Sequence, residues 1–516
     1  MCDRERGCSE VPVPKVTTWQ LSAGSAVIGL ALAAGLIAAS GPWDSGQRKA
    51  ERDWAAARDR TGGAHHGSPA HPGSPAGPAP APHAPGVLAA LGSSAAPTGK
   101  GLGDALGHLM DDPALGPTAG GVVIDTVTGR TLYGSDAGRA MTPASTVKLA
   151  TMAAGLSALG PGHRIATTVT ATPDGKRVTL RGGGDPTLDR DGLRALADAT
   201  AKVLRDRGVS SVRISYDTSL YSGPVLHPIG PNDNLAPVSA LMTDEGRLGG
   251  GSGDSGGSGD PSDSSDSSGS SSSGGSAGSP EEGDHGPAPR SGDPAGDTAR
   301  TFASMLADRS VHSKGAPSPG TSPKGAKTVA STYSAPLSAL VERALTNSDN
   351  DIAEAVARQT ALAAHEPASF AGASRAVRDR LKKLGLPLGG AHFADGSGLN
   401  RQDKVSPTLL ATLLTRAGDP AHPELRPILT GLPIAGFTGT LDGRFTDPSG
   451  AGRGAGLIHA KTGTLTGVNT LAGTVVDTRG RLLAFAFMAS DTASPTAAQS
   501  ALDRLGTAVA ACGCTG

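Results

Sequence analysis

Pro143-Ala-Ser-Thr-Val-Lys148, running into the apolar stretch Thr146 to Leu159, is the segment from which the rest of the chain can be placed. Ala, Leu, Met and Val dominate that stretch, so it reads as a buried helix opened by Ser145. Three residues are nearly one helical turn, which sets Lys148 on the same face as Ser145 with its amine within reach of the hydroxyl. A serine hydroxyl is a weak nucleophile until an adjacent base takes its proton, and a desolvated lysine with a lowered pKa can be that base. Backbone N–H groups at the helix start stand beside any negative charge that develops there.

Two further strings follow in order. Ser348-Asp-Asn350 falls between two helical patterns, Leu337 to Leu345 and Ile352 to Ala364, so a loop there can point Ser348 and Asn350 into a cleft while Asp349 turns away. Lys461-Thr-Gly-Thr464 lies in a strand-like run from Leu457, followed by Leu471 to Val476 and Leu482 to Met488 around the turn Asp477-Thr-Arg-Gly480. This is an antiparallel meander whose first strand would form a cleft wall. Gly463 has no side chain, so a substrate backbone can lie against the strand, and Lys461, Thr462 and Thr464 offer a cation and hydroxyls to an anionic group. Each string alone also fits an ordinary surface turn; their order and setting carry the chemistry.

The set resembles the serine penicillin-recognising enzymes. From Ser145 to Ser348 is 203 positions (348 minus 145), and from Ser348 to Lys461 is 113 (461 minus 348). A class A β-lactamase resemblance would imply a far shorter first interval, and no Glu-x-x-Leu-Asn string follows Asn350. The long interval resembles instead the class C low-molecular-mass penicillin-binding proteins, the D-alanyl-D-alanine carboxypeptidase and endopeptidase family. Gly182-Gly-Gly-Asp-Pro-Thr-Leu188, Pro237-Val-Ser-Ala-Leu241, Tyr333-Ser-Ala-Pro-Leu337 and Asp395-Gly-Ser-Gly-Leu399 fit the same family.

That resemblance implies attack by Ser145 on the carbonyl between two D-alanines at the end of a peptidoglycan stem peptide, with Lys148 as proton acceptor. It implies an oxyanion site made by the backbone N–H groups of Ser145 and Thr464. Lys461, Thr462 and Thr464 would hold the terminal carboxylate beside Gly463, Asn350 would steady the acyl chain, and Ser348 would pass a proton to the departing D-alanine. Lys461 is also a candidate for lowering the pKa of Lys148. The expected partners are stem peptides and β-lactam antibiotics as covalent inhibitors, with no metal and no cofactor. Carboxypeptidase and endopeptidase action both fit the site. The alternatives are a β-lactamase and a penicillin- or wall-sensing receptor that acylates without turnover.

Composition and order set the organisation. Among 516 residues, 75 Gly, 39 Pro and long Ser runs leave much of the chain unable to bury a core, and a net charge of -1 offers no basic face to nucleic acid. Residues 1–15 read as a cytoplasmic tail and 16–43 as a membrane anchor or a removable signal peptide. No charge occurs from Val16 to Trp43, and the 24 steps from Trp19 to Trp43 (43 minus 19) span about 36 Å of helix, enough for a hydrocarbon core with its interfaces. Residues 44–100 read as a disordered Pro/Ala/Gly-rich linker whose His65, His66, His71 and His83 lack ligand partners at metal spacing. The part beyond is expected outside the cell, anchored to the membrane or secreted into the cell-wall space.

The catalytic domain is expected in two pieces, 101–165 and 333–516. A hairpin of Gly121 to Asp125 and Arg130 to Tyr133 joins the Lys461 meander in one antiparallel sheet, and a helix from Pro495 to Ala511 covers one face. The fold class is therefore α+β, a sheet flanked by helices, with a small α/β domain inserted at 166–332. Within the insertion Thr167 to Leu180 is strand-like, Asp191 to Arg207 and Ala299 to Leu306 are helical, and Val209 to Tyr216 is a strand. Gly182 to Gly184 lacks the Lys-Ser/Thr of a phosphate loop and reads as a tight turn. Residues 249–294, nearly all Gly, Ser, Asp and Pro, read as a disordered loop. The four cysteines sit at the two ends of the chain, and a bridge from Cys512 to Cys514 would close an unusually tight ring, so no disulfide framework is expected.

Overall fold

The computed structural model describes residues 96–248, 286–447 and 450–514. The tail 1–15, the segment 16–43, nearly all of the 44–100 linker and most of the 249–294 loop lie outside the described residues. Among the described residues no helix is long and apolar enough to cross a membrane.

Five strands, β1 (Thr118–Asp125), β2 (Thr131–Ser135), β9 (Ile458–Leu465), β10 (Val468–Val476) and β11 (Leu482–Ser490), form an antiparallel sheet in the order β2-β1-β11-β10-β9. Side-chain alternation with a period of two assigns their faces. Val122 and Ile124 of β1 join Ala484, Ala486 and Met488 of β11 in one core, while Val123 joins Leu483, Phe485 and Phe487 in another. The second core is closed by α1 (Gly99–Met110) and by the C-terminal helix α9 (Pro495–Ala511). On the first face lie α2 (Lys148–Leu159), α5 (Leu337–Thr346), α6 (Asn350–Ala363), α7 (Phe370–Lys383) and α8 (Pro407–Ala417). Every residue of α2 from Lys148 to Leu156 is buried, as expected for a helix surrounded by others.

Between α2 and α5 the chain builds a six-stranded mixed sheet in the order β6-β5-β4-β3-β8, with β7 beside β5. Its strands are β3 (Ala166–Ala171), β4 (Arg177–Arg181), β5 (Ser211–Asp217), β6 (His312–Ser313), β7 (Ser318–Pro319) and β8 (Lys327–Tyr333). Helices α3 (Arg190–Asp206) and α4 (Pro294–Ala307) contribute to its core. The run Thr167 to Leu180 is thus a hairpin rather than one strand. Thr172-Pro-Asp-Gly175 makes the turn, with Gly175 at φ 68° and its N–H on the Thr172 carbonyl at 2.8 Å.

A disulfide forms where the sequence reading expected none. Cys512 and Cys514 form a disulfide with their Cα atoms 4.9 Å apart. Cys512 is only 3% exposed in the core below α9, and the Cys514 carbonyl accepts the Thr98 N–H at 3.0 Å. Helix α1, capped by the Thr98 hydroxyl, accordingly starts inside the stretch read as linker. Residues from Gly286 onward likewise belong to the fold: Arg290 pairs with Arg247 in an antiparallel bridge, so the stretch read as loop ends in structure before α4.

Candidate active site

Ser145 stands on a 3₁₀ turn, Ala144–Val147, and α2 begins only at Lys148. The serine is therefore presented ahead of the helix instead of at its first α-helical residue. Ala144 takes a left-handed conformation, φ 48°, which is uncommon without glycine and needs support from its surroundings. The Pro143 carbonyl supplies some of it, accepting the hydroxyls of Thr146 at 2.7 Å and Thr470 at 2.8 Å, the latter from β10.

Lys148 is completely buried, and its Nζ donates to Ser145 Oγ at 3.0 Å, Asn350 Oδ1 at 2.7 Å and the Ser397 carbonyl at 2.7 Å. Burial lowers its pKa from 10.5 to about 8, against the opposing pull of Asp395, Asp349, Glu354 and Asp403. An amine poised there can take a proton near neutral pH.

Ser348 occupies the link between α5 and α6 with φ 59°. Asp349 is buried at the edge of the cleft as the N-cap of α6, accepting the Ile352 N–H at 2.9 Å. Asn350 is the first residue of α6, not a loop residue, and besides meeting Lys148 it donates through Nδ2 to the Asn234 carbonyl at 2.9 Å. Beneath the link, Glu245, Asp349 and Asp351 pack among Arg247, Arg290 and Arg343. Arg290 lies 3.0 Å from Asp351, Arg247 3.0 Å from Glu245, and Arg343 contacts Glu245 and Asp349. Burial, then the charge of Glu245, pushes Asp349 up to about 7.

The third string departs from the sequence reading in three ways. Lys461 is completely buried, with its Nζ on the Thr462 carbonyl at 3.0 Å, so it presents no open cation to the cleft. Burial and then the charge of Lys148 depress its pKa well below 10.5, whereas Lys148 owes its own shift to burial. Thr462 is only 9% exposed and donates to Thr440 Oγ1 at 2.8 Å. Gly463 faces the nucleophile turn: a Cβ there would lie 2.6 Å from the Pro143 carbonyl oxygen, 3.2 Å from Ala144 Cβ and against Thr470 Oγ1. The absent side chain makes room for the Ser145 turn, not for substrate.

Thr464 is exposed and, with Ser145, Ser348 and Asn350, lines a cleft of about 200 Å³. The outer side of edge strand β9 is covered as far as Ala460, whose N–H meets the Pro433 carbonyl at 2.9 Å. Asn234, Arg247, Arg290 and Leu399 are among the other residues of the cleft wall. Sequence reasoning missed the first three, which come from the insertion and carry no periodic or motif signal. It noted Asp395-Gly-Ser-Gly-Leu399 without seeing that Ser397 offers its carbonyl to Lys148.

A family model described as D-Ala-D-Ala carboxypeptidase 3 (S13) matches residues 102–268 and 278–509. The chain is 34% identical over 452 residues to carboxypeptidase DacB of Mycolicibacterium smegmatis, covering 85% of this chain and 90% of that one. It is 33% identical to carboxypeptidase Rv3627c of Mycobacterium tuberculosis over 459 residues, with the same 85% and 90% coverage. Among solved structures, penicillin binding protein 4 (dacB) from Haemophilus influenzae superposes with a TM-score of 0.61 at 20% identity, over 79% of this chain and 97% of that one. The similarity extends to the fold of that protein.

Proposed function

Because the chain belongs to the D-Ala-D-Ala carboxypeptidase 3 (S13) family, we propose that Ser145 is the residue it acylates and Lys148 the base that activates it. The chain is a serine-type D-Ala-D-Ala carboxypeptidase, a hydrolase acting on peptidoglycan. The observation that carries the assignment of roles is the 3.0 Å contact between Lys148 Nζ and Ser145 Oγ, made by an amine whose burial brings it to about 8.

In the proposed cycle Lys148 takes the Ser145 proton as Oγ bonds to the carbonyl carbon of the D-Ala-D-Ala peptide link. The backbone N–H groups of Ser145 and Thr464 bind the resulting oxyanion. Collapse breaks the C–N bond, and the proton reaches the leaving amine by way of Ser348, while Asn350 steadies the acyl chain. Thr464 at the cleft wall meets the terminal carboxylate, backed by Thr462 on its own face of β9 and by Lys461 on the face that packs against the nucleophile turn and Lys148. Water then cleaves the ester and restores Ser145. A β-lactam acylates the same oxygen, and its leaving group stays tethered in the cleft. The Haemophilus influenzae relative has been solved in complex with a β-lactam, which supports this reading. Residues 16–43, uncharged and bracketed by Trp19 and Trp43, would hold the enzyme at the membrane with its site in the cell-wall space.

The test uses the full chain with a fluorescent penicillin and a diacyl-lysyl-D-alanyl-D-alanine peptide, with a cross-linked dimer alongside to read endopeptidase action. Wild type should take label and release D-alanine, and Ser145→Ala should do neither. Label on the alanine variant would sink the nucleophile assignment. Rapid loss of label with hydrolysed drug would favour a β-lactamase instead.

A further inference from the structure

Two of the three acceptors around Lys148 depend on one helix. Asn350, at the start of α6, offers Oδ1 directly. Glu354 lies four residues further on and thus on the same helix face. Its Oε1 accepts the backbone N–H groups of Gly396 and Ser397, each at 3.0 Å, and the Ser397 carbonyl in turn accepts Lys148 Nζ at 2.7 Å. The neighbouring Gly396 carbonyl accepts the Thr151 hydroxyl of α2 at 2.8 Å.

The strap Asp395–Gly398 is threaded between α6 and the nucleophile turn with no slack. A Cβ on Gly396 would lie 2.7 Å from the Ala353 carbonyl oxygen and 2.8 Å from Ala357 Cβ. One on Gly398, at φ 87°, would strike the carbonyl oxygen of Ala144, the residue before Ser145. The first residue of the strap has its own anchors: Asp395 accepts the N–H groups of Gly398 at 2.6 Å and Asn400 at 2.7 Å and pairs with His227 at 2.8 Å, while Asp403 accepts the Ala394 N–H at 2.6 Å. Glu354 is the group on the central amides.

We propose that Glu354 is a positioning residue for acylation: by clamping the Gly396 and Ser397 amides it aims the Ser397 carbonyl at Lys148, and so sets the orientation and basicity of the amine that activates Ser145. The proposal rests on the roles assigned above to Ser145 and Lys148. The charged and titratable groups facing Glu354 are Lys148 itself, Asp395, Arg358, His227 and the buried Tyr221. Those facing Lys148, besides Glu354, are Asp395, Asp349, Asp403 and Lys461. Removing an acceptor or a negative charge from beside a lysine disfavours its charged form, so a disturbed strap moves the pH at which Lys148 titrates downward. A purely structural role would lower the amount of folded enzyme and leave that pH where it is.

The experiment compares Glu354→Gln and Glu354→Leu in the full chain, reading the second-order rate of fluorescent-penicillin acylation against pH, per folded molecule by circular dichroism. The leucine variant should lose about a hundredfold in rate, as a misaimed base does, with its midpoint at lower pH. The glutamine variant keeps an oxygen that can accept both N–H groups, and should lose only about threefold while its midpoint also falls through the missing charge. A leucine variant with the wild-type rate per folded molecule and the wild-type midpoint overturns the proposal whatever its folded fraction, as does one whose midpoint is unmoved. Should the leucine variant not fold, a glutamine variant with an unmoved midpoint overturns it. Label on a parallel Ser145→Ala sample would count against the nucleophile, separately from Glu354.

Discussion

Replacing Gly463 with alanine tests what holds the nucleophile turn against the sheet. The added Cβ would lie 2.6 Å from the Pro143 carbonyl oxygen, where ordinary contact begins at 3.4 Å, so the turn and β9 must separate by about 0.8 Å (3.4 minus 2.6). Nothing there can rotate aside: the Pro143 oxygen is backbone, and Thr470 Oγ1 is buried and committed to that same oxygen at 2.8 Å. Overpacking of this kind costs about 1–3 kcal/mol, and weakening the Thr470 hydrogen bond adds about 1 kcal/mol. The catalytic cost is larger. The Ser145 and Thr464 amides sit on the two elements being pushed apart, and a misplacement approaching 1 Å costs roughly a hundredfold in rate. Thermal melting followed by circular dichroism, with the acylation rate measured on the same preparation, should show a melting temperature lower by several degrees and acylation slower by about two orders of magnitude. An alanine variant with wild-type melting and acylation, altered only in KM for peptide, would refute this reasoning and return the glycine to the substrate.

The remaining expectations follow from the buried charges. Since Lys148 must be unprotonated to accept the Ser145 proton, acylation should rise with pH through a midpoint near its pKa of about 8; a profile flat across that range would exclude it as the base. The same shift makes Lys148 a drag on stability below about pH 8 that lifts as pH rises towards 10.5, because over that interval the unfolded chain holds the proton that the folded one has lost. Asp125 and Arg481 form a buried two-bond pair, 2.8 Å and 2.6 Å, between β1 and the start of β11. Arg481→Met should cost about 3–5 kcal/mol, because the buried Asp125 carboxylate loses its counter-charge and keeps only the Thr128 hydroxyl and the Val127 N–H, lowering the melting temperature while leaving acylation per folded molecule unchanged. Wild-type melting of that variant would show the pair to be dispensable.

The sequence by itself determined whatever depends on short-range geometry. Ser145 and Lys148 share a face because three residues make nearly a turn, Asp349 turns inward because it caps the helix it precedes, and β11 divides its residues between two cores because strand side chains alternate. Even the missed hairpin at Thr172-Pro-Asp-Gly175 was readable in its turn residues. The strings also carried the family, since the long interval from Ser145 to Ser348 is a property of the chain alone. What only the tertiary structure decided are contacts between residues far apart. The Ser397 carbonyl reaches Lys148 across 249 positions, and Asn350 donates to Asn234 across 116. Whether a strand residue such as Lys461 faces water or a buried lysine, and whether Gly463 accommodates a ligand or a neighbouring turn, depends on which element packs against that face. Spacing along the chain fixes direction within one element, where a few dihedral angles set it; it is silent on partners that meet only after the whole core has closed.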